Sequence, residues 1–197
     1  MYHKSGRNQK KSQSPLLIGV TGMESGCGVT HTCIALATYA YQAQGRRTAY
    51  VEMNKSHQIR GLVAKDNWQG ECFRYQGIFF YPEASTRTLD LVLMKEYEMV
   101  LLDCGCRQQE MLKDVPICNY RFMLAFGARW HRTQLEDWFG SQEKIRRTQY
   151  QYLIPLVSQQ QIKDLCHEYS VQFHAIPYLS DPFVLSPTMI QFLTKLL

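Results

Sequence analysis

The chain has 197 residues, 45% of them apolar and 12% aromatic, and a formal net charge of +5. This composition excludes a disordered chain, and the length allows one domain with a proper core while being short for two. The charge is local: Lys4, Arg7, Lys10 and Lys11 precede the first acid, Glu24, and without those four the chain carries 18 bases against 17 acids, which argues against a folded surface built to bind nucleic acid.

Residues 1–14 read as a basic, disordered tail, and residues 15–197 as the folded domain. The tail's charge would permit contact with nucleic acid or anionic lipid, and a solvated terminus is the preferred reading. No apolar run approaches the ~20 residues of a membrane span, and the first residues lack the apolar stretch of a secretory signal. The expected location is cytoplasmic. The seven cysteines form an odd set without a paired framework, which suggests reduced, mostly buried thiols.

Past the tail, strands are expected at Leu16–Thr21, Thr48–Met53, Gly77–Tyr81, Met99–Asp103, Tyr120–Phe126, Tyr152–Val157 and Phe173–Pro177. Most are continuous apolar runs, as in strands covered on both faces of a parallel sheet. Helices are expected at Thr30–Gln44, Ser85–Glu96, Thr133–Phe139, Ser158–Tyr169 and Pro187–Leu197. The first carries small residues at Ala35, Ala37, Ala40 and Ala43, suited to close packing on a sheet, and stops at Gly45. Strand–helix alternation of this kind predicts a three-layer α/β/α fold with a mainly parallel central sheet. Ligands of such folds bind beyond the carboxyl ends of the strands.

At the first such end, a strand runs into a turn holding Gly22, Gly26 and Gly28, and a helix follows. Free N–H groups at the helix start and the helix dipole make an anion site from backbone alone. The segment Glu24-Ser25-Gly26-Cys27-Gly28-Val29-Thr30 resembles the deviant Walker A region of the MinD/ParA class of P-loop ATPases, whose pattern is Lys-Gly-Gly-x-Gly-Lys-[Ser/Thr]. The resemblance continues in order through the Ala-rich helix, "TAYVEMN", "MVLLDCG" and "HAIPYLSDPFVLS", from residue 16 to about 190. It implies a P-loop fold with nucleotide-binding positions Gly26, Cys27, Gly28, Val29, Thr30 and His31. It also implies a Mg²⁺-associated pair, Thr30 and Asp103.

The departures point to a degenerate site. Glu24 and Val29 replace both family lysines, and losing one buried charge partner costs about 2–5 kcal/mol. Glu24 would repel a triphosphate unless it faces away. Glu52 and Asn54 stand where the family usually has aspartates, and "SQQQ" where an asparagine often recognises adenine. The resemblance therefore implies a scaffolding, localisation or partner-binding protein, with ATP or ADP and Mg²⁺ weakly bound or absent and hydrolysis inefficient. A protein partner or a homodimer would follow. The nearest analogy within the class is the TadZ/CpaE-type branch, which places secretion or pilus machinery at a cell site.

Two alternatives stay open. In one, an active ATP-dependent dimerisation switch uses non-standard bases, with Arg129 and Arg132 of "GARWHR" as phosphate contacts, helped by His131; the competing reading is a solvated loop anchored by Trp130. In the other, Cys104 and Cys106 join Cys27 and His31 as a thiol-based metal or redox module, against ordinary buried residues. The terminal stripe Met189, Ile190, Leu193, Leu196 and Leu197 reads as core packing rather than a membrane-lying helix. Glu136/Asp137 and Asp164/Glu168 read as solvated helix faces, and no catalytic residue is assigned.

Overall fold

A computed structural model describes residues 14–106, 117–141 and 147–197. The expected tail lies outside them apart from Ser14. Among the described residues eight strands form one sheet: β1 Leu16–Gly22, β2 Thr48–Glu52, β3 Phe73–Tyr75, β4 Ile78–Tyr81, β5 Met99–Asp103, β6 Tyr120–Leu124, β7 Gln151–Pro155 and β8 Phe173–Ile176. Their order is β3-β4-β2-β5-β1-β6-β7-β8, parallel except for the β3–β4 hairpin. The described α-helices are α1 Val29–Thr38, α2 Thr86–Leu93, α3 Arg132–Ser141, α4 Gln159–Tyr169 and α5 Pro187–Leu196. The three-layer α/β expectation holds.

Side chains alternate across the sheet, so each apolar strand feeds two cores. Ile18, Val20, Met99, Leu101 and Phe122 face one layer with Leu36 of α1 and Leu193 of α5. On the opposite face, Leu17, Val100 and Leu102 pack with Leu89 and Val92 of α2, while Met123 and Tyr152 pack with residues of α3 and α4. Most of the terminal stripe is core: Met189, Leu193 and Leu196 are buried and Leu197 is half-buried, but Ile190 faces outward; the Thr194 hydroxyl lies 2.9 Å from the Tyr39 hydroxyl.

Several boundaries differ from expectation. Helix α1 ends at Thr38 and continues as a π-helical segment, Tyr39–Ala43. Strand β7 ends at Pro155, because Leu156 turns to φ 52 and points outward, 81% exposed. Residues 159–161 of the "SQQQ" stretch open α4, with Ser158 and Gln161 forming a reciprocal capping box.

Register brings the site together. β1 lies centrally, with Val20 opposite Asp103 on one side and Gly22 opposite Leu124 on the other. Glu52 of β2 also pairs with Asp103. The carboxyl ends of β1, β2, β5 and β6 therefore converge beneath the glycine loop.

Candidate functional site

The loop between β1 and α1 is held at its base by strand ends. Gly22 N–H donates to Gly105 O at 3.0 Å and Met23 N–H to Leu124 O at 2.8 Å. Gly28 sits at φ 95 immediately before α1, a conformation that L side chains resist, and Thr32 N–H returns to its carbonyl at 2.9 Å. The loop is thus a curled backbone at the N-terminus of a helix, as its glycine spacing predicts.

A polar cleft of about 450 Å³ opens beside it, lined by Gly26, Gly28, Val29, Thr30 and His31 on one side and by Asn54, Lys55 and Ser56 on the other. Across the loop lies a mainly apolar pocket of about 300 Å³, bounded by Phe126, Leu156, Ile176, Tyr178 and Phe192, with Gly26, Gly28 and His31 shared by both spaces. The buried Cys27 lines only the apolar side. All six expected nucleotide-binding positions therefore bound one or both cavities.

Val29 is 5% exposed and belongs to the core cluster beneath the sheet's α1 face. Glu24 does not line the cleft; its Oε2 meets His131 Nδ1 at 2.8 Å, while the His131 ring packs 4.4 Å from Phe126. The acid at the start of the loop is thus turned toward the residues after β6.

Asp103 is fully buried. Its Oδ2 accepts from the Thr30 hydroxyl at 2.6 Å and from the Tyr50 hydroxyl. Its Oδ1 accepts from Asn54 Nδ2 at 2.8 Å and Gly105 N–H at 3.0 Å. Burial pushes its pKa up, and these hydrogen bonds oppose the rise. Because Thr30 donates its proton to Asp103, its oxygen retains lone pairs for a cation. Asp103 itself has no unshared face, so it would act on a metal only by orienting Thr30. Those residues fit Mg²⁺ with a single protein ligand, the remainder coming from phosphate and water.

Glu52 is also closed off: Ser56 Oγ and Gln58 N–H donate to one oxygen, Glu83 N–H to the other, at 3.1 to 3.2 Å. It shapes the loop after β2 and does not reach a ligand. That loop carries the residue the sequence reading missed. Lys55 is exposed and supplies the one fixed positive charge among the described residues lining the polar cleft. Nothing in "MNKSHQ" marks it, since its role depends on where the β2 loop lands.

The expected arginines lie elsewhere. Arg129 and Arg132 line a separate cleft with Gln161 and Asp164, and Arg132 pairs with Glu168 of α4. Their recruitment to the glycine loop is therefore not observed, because the carboxylate on α4 holds Arg132. Nor does Trp130 anchor their loop: it is 80% exposed, and His131 makes the anchoring contacts. Asp164 and Glu168 are correspondingly more than a bare solvated face, since one lines that cleft and the other forms the ion pair. The proposed three-thiol cluster also separates. Cys104 packs on the α2 side of the sheet and Cys27 on the α1 side, with Cys106 against the latter. Among the described residues no group of three or more His, Cys, Asp or Glu could hold a metal ion.

No family model and no curated protein matches the chain by sequence. Its structure is similar to MinD, a cell division protein of Aquifex aeolicus, with TM-score 0.67 and 12% identity over 91% of this chain and 96% of that one. It is also similar to cobyrinic acid a,c-diamide synthase from Mycobacterium smegmatis with bound ATP analogue and magnesium, with TM-score 0.66 and 12% identity over 92% of each chain. A plasmid partition protein of Borrelia burgdorferi bound to AMPPNP gives TM-score 0.63 and 14% identity over 92% of this chain and 96% of that one. No described helix is long and apolar enough to cross a membrane. The chain has the fold of the MinD and ParA-family proteins.

Proposed function

We propose that this protein uses a P-loop frame for partner binding and positioning, holding ATP or ADP weakly and turning it over inefficiently. The carrying observation is Val29. At the position where the family pattern has a lysine, an apolar side chain is folded into the core beneath the cleft. Backbone amides and the α1 dipole remain, so an anion still finds a cradle. The charge that would neutralise the terminal phosphates does not come from the loop. Lys55, across the cleft, is the residue that gives a weak site its cation, in place of Arg129 and Arg132.

Two of the structurally similar proteins hold ATP analogues, one with magnesium, which supports a nucleotide as the ligand class. Partner binding is supported by Leu156 and Tyr178, which line the apolar pocket and are 81% and 76% exposed. A cytoplasmic setting agrees with this reading.

Calorimetric titration with Mg²⁺-ATP and Mg²⁺-ADP tests it. The natural protein binds with a Kd of about 1 mM or weaker, and Val29→Lys tightens binding by tenfold or more, for which about 1.4 kcal/mol suffices. Lys55→Ala leaves the core intact and weakens whatever binding the natural protein has. Micromolar binding with steady phosphate release by the natural protein would overturn the proposal.

A further inference from the structure

Cys27 stands at the centre of the glycine loop, and Cys106 lies three residues beyond Asp103, at the end of β5. A Cβ built on Gly22 would lie 2.4 Å from Cys27 Sγ and 3.0 Å from Cys106 Sγ, so the two sulfurs are no farther apart than the sum of those distances. They are close enough that each shifts the other's ionisation. Cys106 Sγ also reaches the Glu24 carbonyl at 2.9 Å. The pair thus bridges the loop's two arms and the strand end on which Asp103 sits. Gly22 makes this possible, because any side chain there would displace Cys27.

The two thiols differ in access. Cys27 is 1% exposed, whereas Cys106 is half-buried and lines the polar cleft. The neighbouring Cys27 thiol lowers the pKa of Cys106 against burial and the charges of Asp103 and Glu24, while Cys106 and burial raise that of Cys27. One sulfur therefore meets solutes from the cleft, and the other waits behind it, shielded from them.

We propose that Cys106 and Cys27 form an oxidisable dithiol whose substrate is a hydroperoxide and whose disulfide pins the glycine loop to the end of β5. In the first step the Cys106 thiolate attacks the peroxide. The O–O bond breaks, an S–O bond forms, and the departing alkoxide or hydroxide takes up a proton; sulfur is oxidised to the sulfenic acid as the peroxide is reduced. In the second step Cys27 sulfur attacks Cys106 sulfur. The S–S bond forms, the S–O bond breaks, and the hydroxide leaves as water with the Cys27 proton. The sum is two thiols and ROOH giving one disulfide, ROH and H₂O. Two equivalents of a small thiol reverse it by exchange.

Pinning matters most where Cys27 lies, between Gly26 and Gly28, the two positive-φ turns that shape the cradle. An effect of the disulfide on nucleotide affinity rests on the function proposed above; the dithiol chemistry does not.

Reduced full-length protein is treated with one equivalent of hydrogen peroxide, alkylated and mapped without reduction. The expected product is an intramolecular Cys27–Cys106 peptide pair. Cys27→Ser stops at the sulfenic acid, so dimedone labels Cys106. Cys106→Ser gives neither the link nor a label on Cys27. Amide exchange across residues 23–28 slows about tenfold in the disulfide form relative to the reduced form.

Linkage of other cysteines, or dimedone labelling of Cys72 or Cys166 ahead of Cys106, overturns the proposal. So does exchange across 23–28 that is unchanged by an established Cys27–Cys106 bond. A parallel ATP titration separates the two readings: failure of both redox forms to gain affinity with Val29→Lys counts against the nucleotide cradle, while the peptide map alone decides the dithiol.

Discussion

At the residue scale, Asp103 shows how one carboxylate organises the site. Four donors converge on it, two from the loop after β5 and the β2 loop, one from α1 and one from β2 itself. Burial raises its pKa and that of Glu52, so the folded chain retains protons that the unfolded chain has released. Stability therefore falls as pH rises from about 4, the unfolded carboxylate value, through the folded values. Asp103→Asn removes one of these titrations. Its amide oxygen still accepts from Asn54 and Gly105, and its NH₂ meets two hydroxyls able to accept. Urea midpoints measured from pH 4 to 8 should give a flatter curve for the variant; parallel curves would show that Asp103 does not titrate in this window. This network was only half legible in the sequence. Thr30 and Asp103 follow from the family pattern, but Tyr50 joins them through strand register and Asn54 through the path of the β2 loop. The approach of Cys106 to Cys27 is also anticipated in the sequence, since β1 and β5 are neighbours, but the placement of Cys104 on the opposite face of the sheet is not.

At the element scale, local and tertiary contributions separate cleanly. Ser158 caps an exposed helix start, and its side chain accepts from Gln161 N–H at 3.2 Å. Ser158→Ala should cost about 1 kcal/mol. Leu193, on α5, is 1% exposed within the core formed with α1, and Leu193→Ala should cost about 2–5 kcal/mol. Guanidinium denaturation checks both; equal losses would mean that α5 is only loosely docked. The strands that could be read from sequence are those buried on both faces, such as Met99–Asp103, where every position is apolar until the functional carboxylate. Strand β3 escaped because three residues carry no periodicity, and its pairing with β4 is fixed by the turn at Gln76 and Gly77 rather than by apolar pattern. Arg132 was misplaced for a different reason: its position after a strand end is visible in sequence, but Glu168 on α4, which holds it, is not.

At the scale of the whole molecule, one sheet with both faces covered leaves no described element a core of its own. Leu17 and Ile18 are adjacent in β1 and serve opposite layers, so loss of either layer exposes the other through the same strand. Unfolding should be a single cooperative event. With Trp68 and Trp130 replaced by Phe, fluorescence of the buried Trp138 should change at the same urea concentration as far-ultraviolet dichroism. Separated transitions would show that the α3–α4 side melts independently.

The β3–β4 turn meets the α1 rod at the end away from the glycine loop. Gly77 lies at φ 87, and a Cβ there would fall 2.0 Å from the ring of Tyr41 in the π-helical segment that continues α1. The hairpin is thus a backstop against which the rod is seated. Any enlargement of Gly77 must both displace the end of the Tyr41 ring and hold a backbone conformation that L residues resist, so the seat of the rod at the far edge of the sheet admits only glycine.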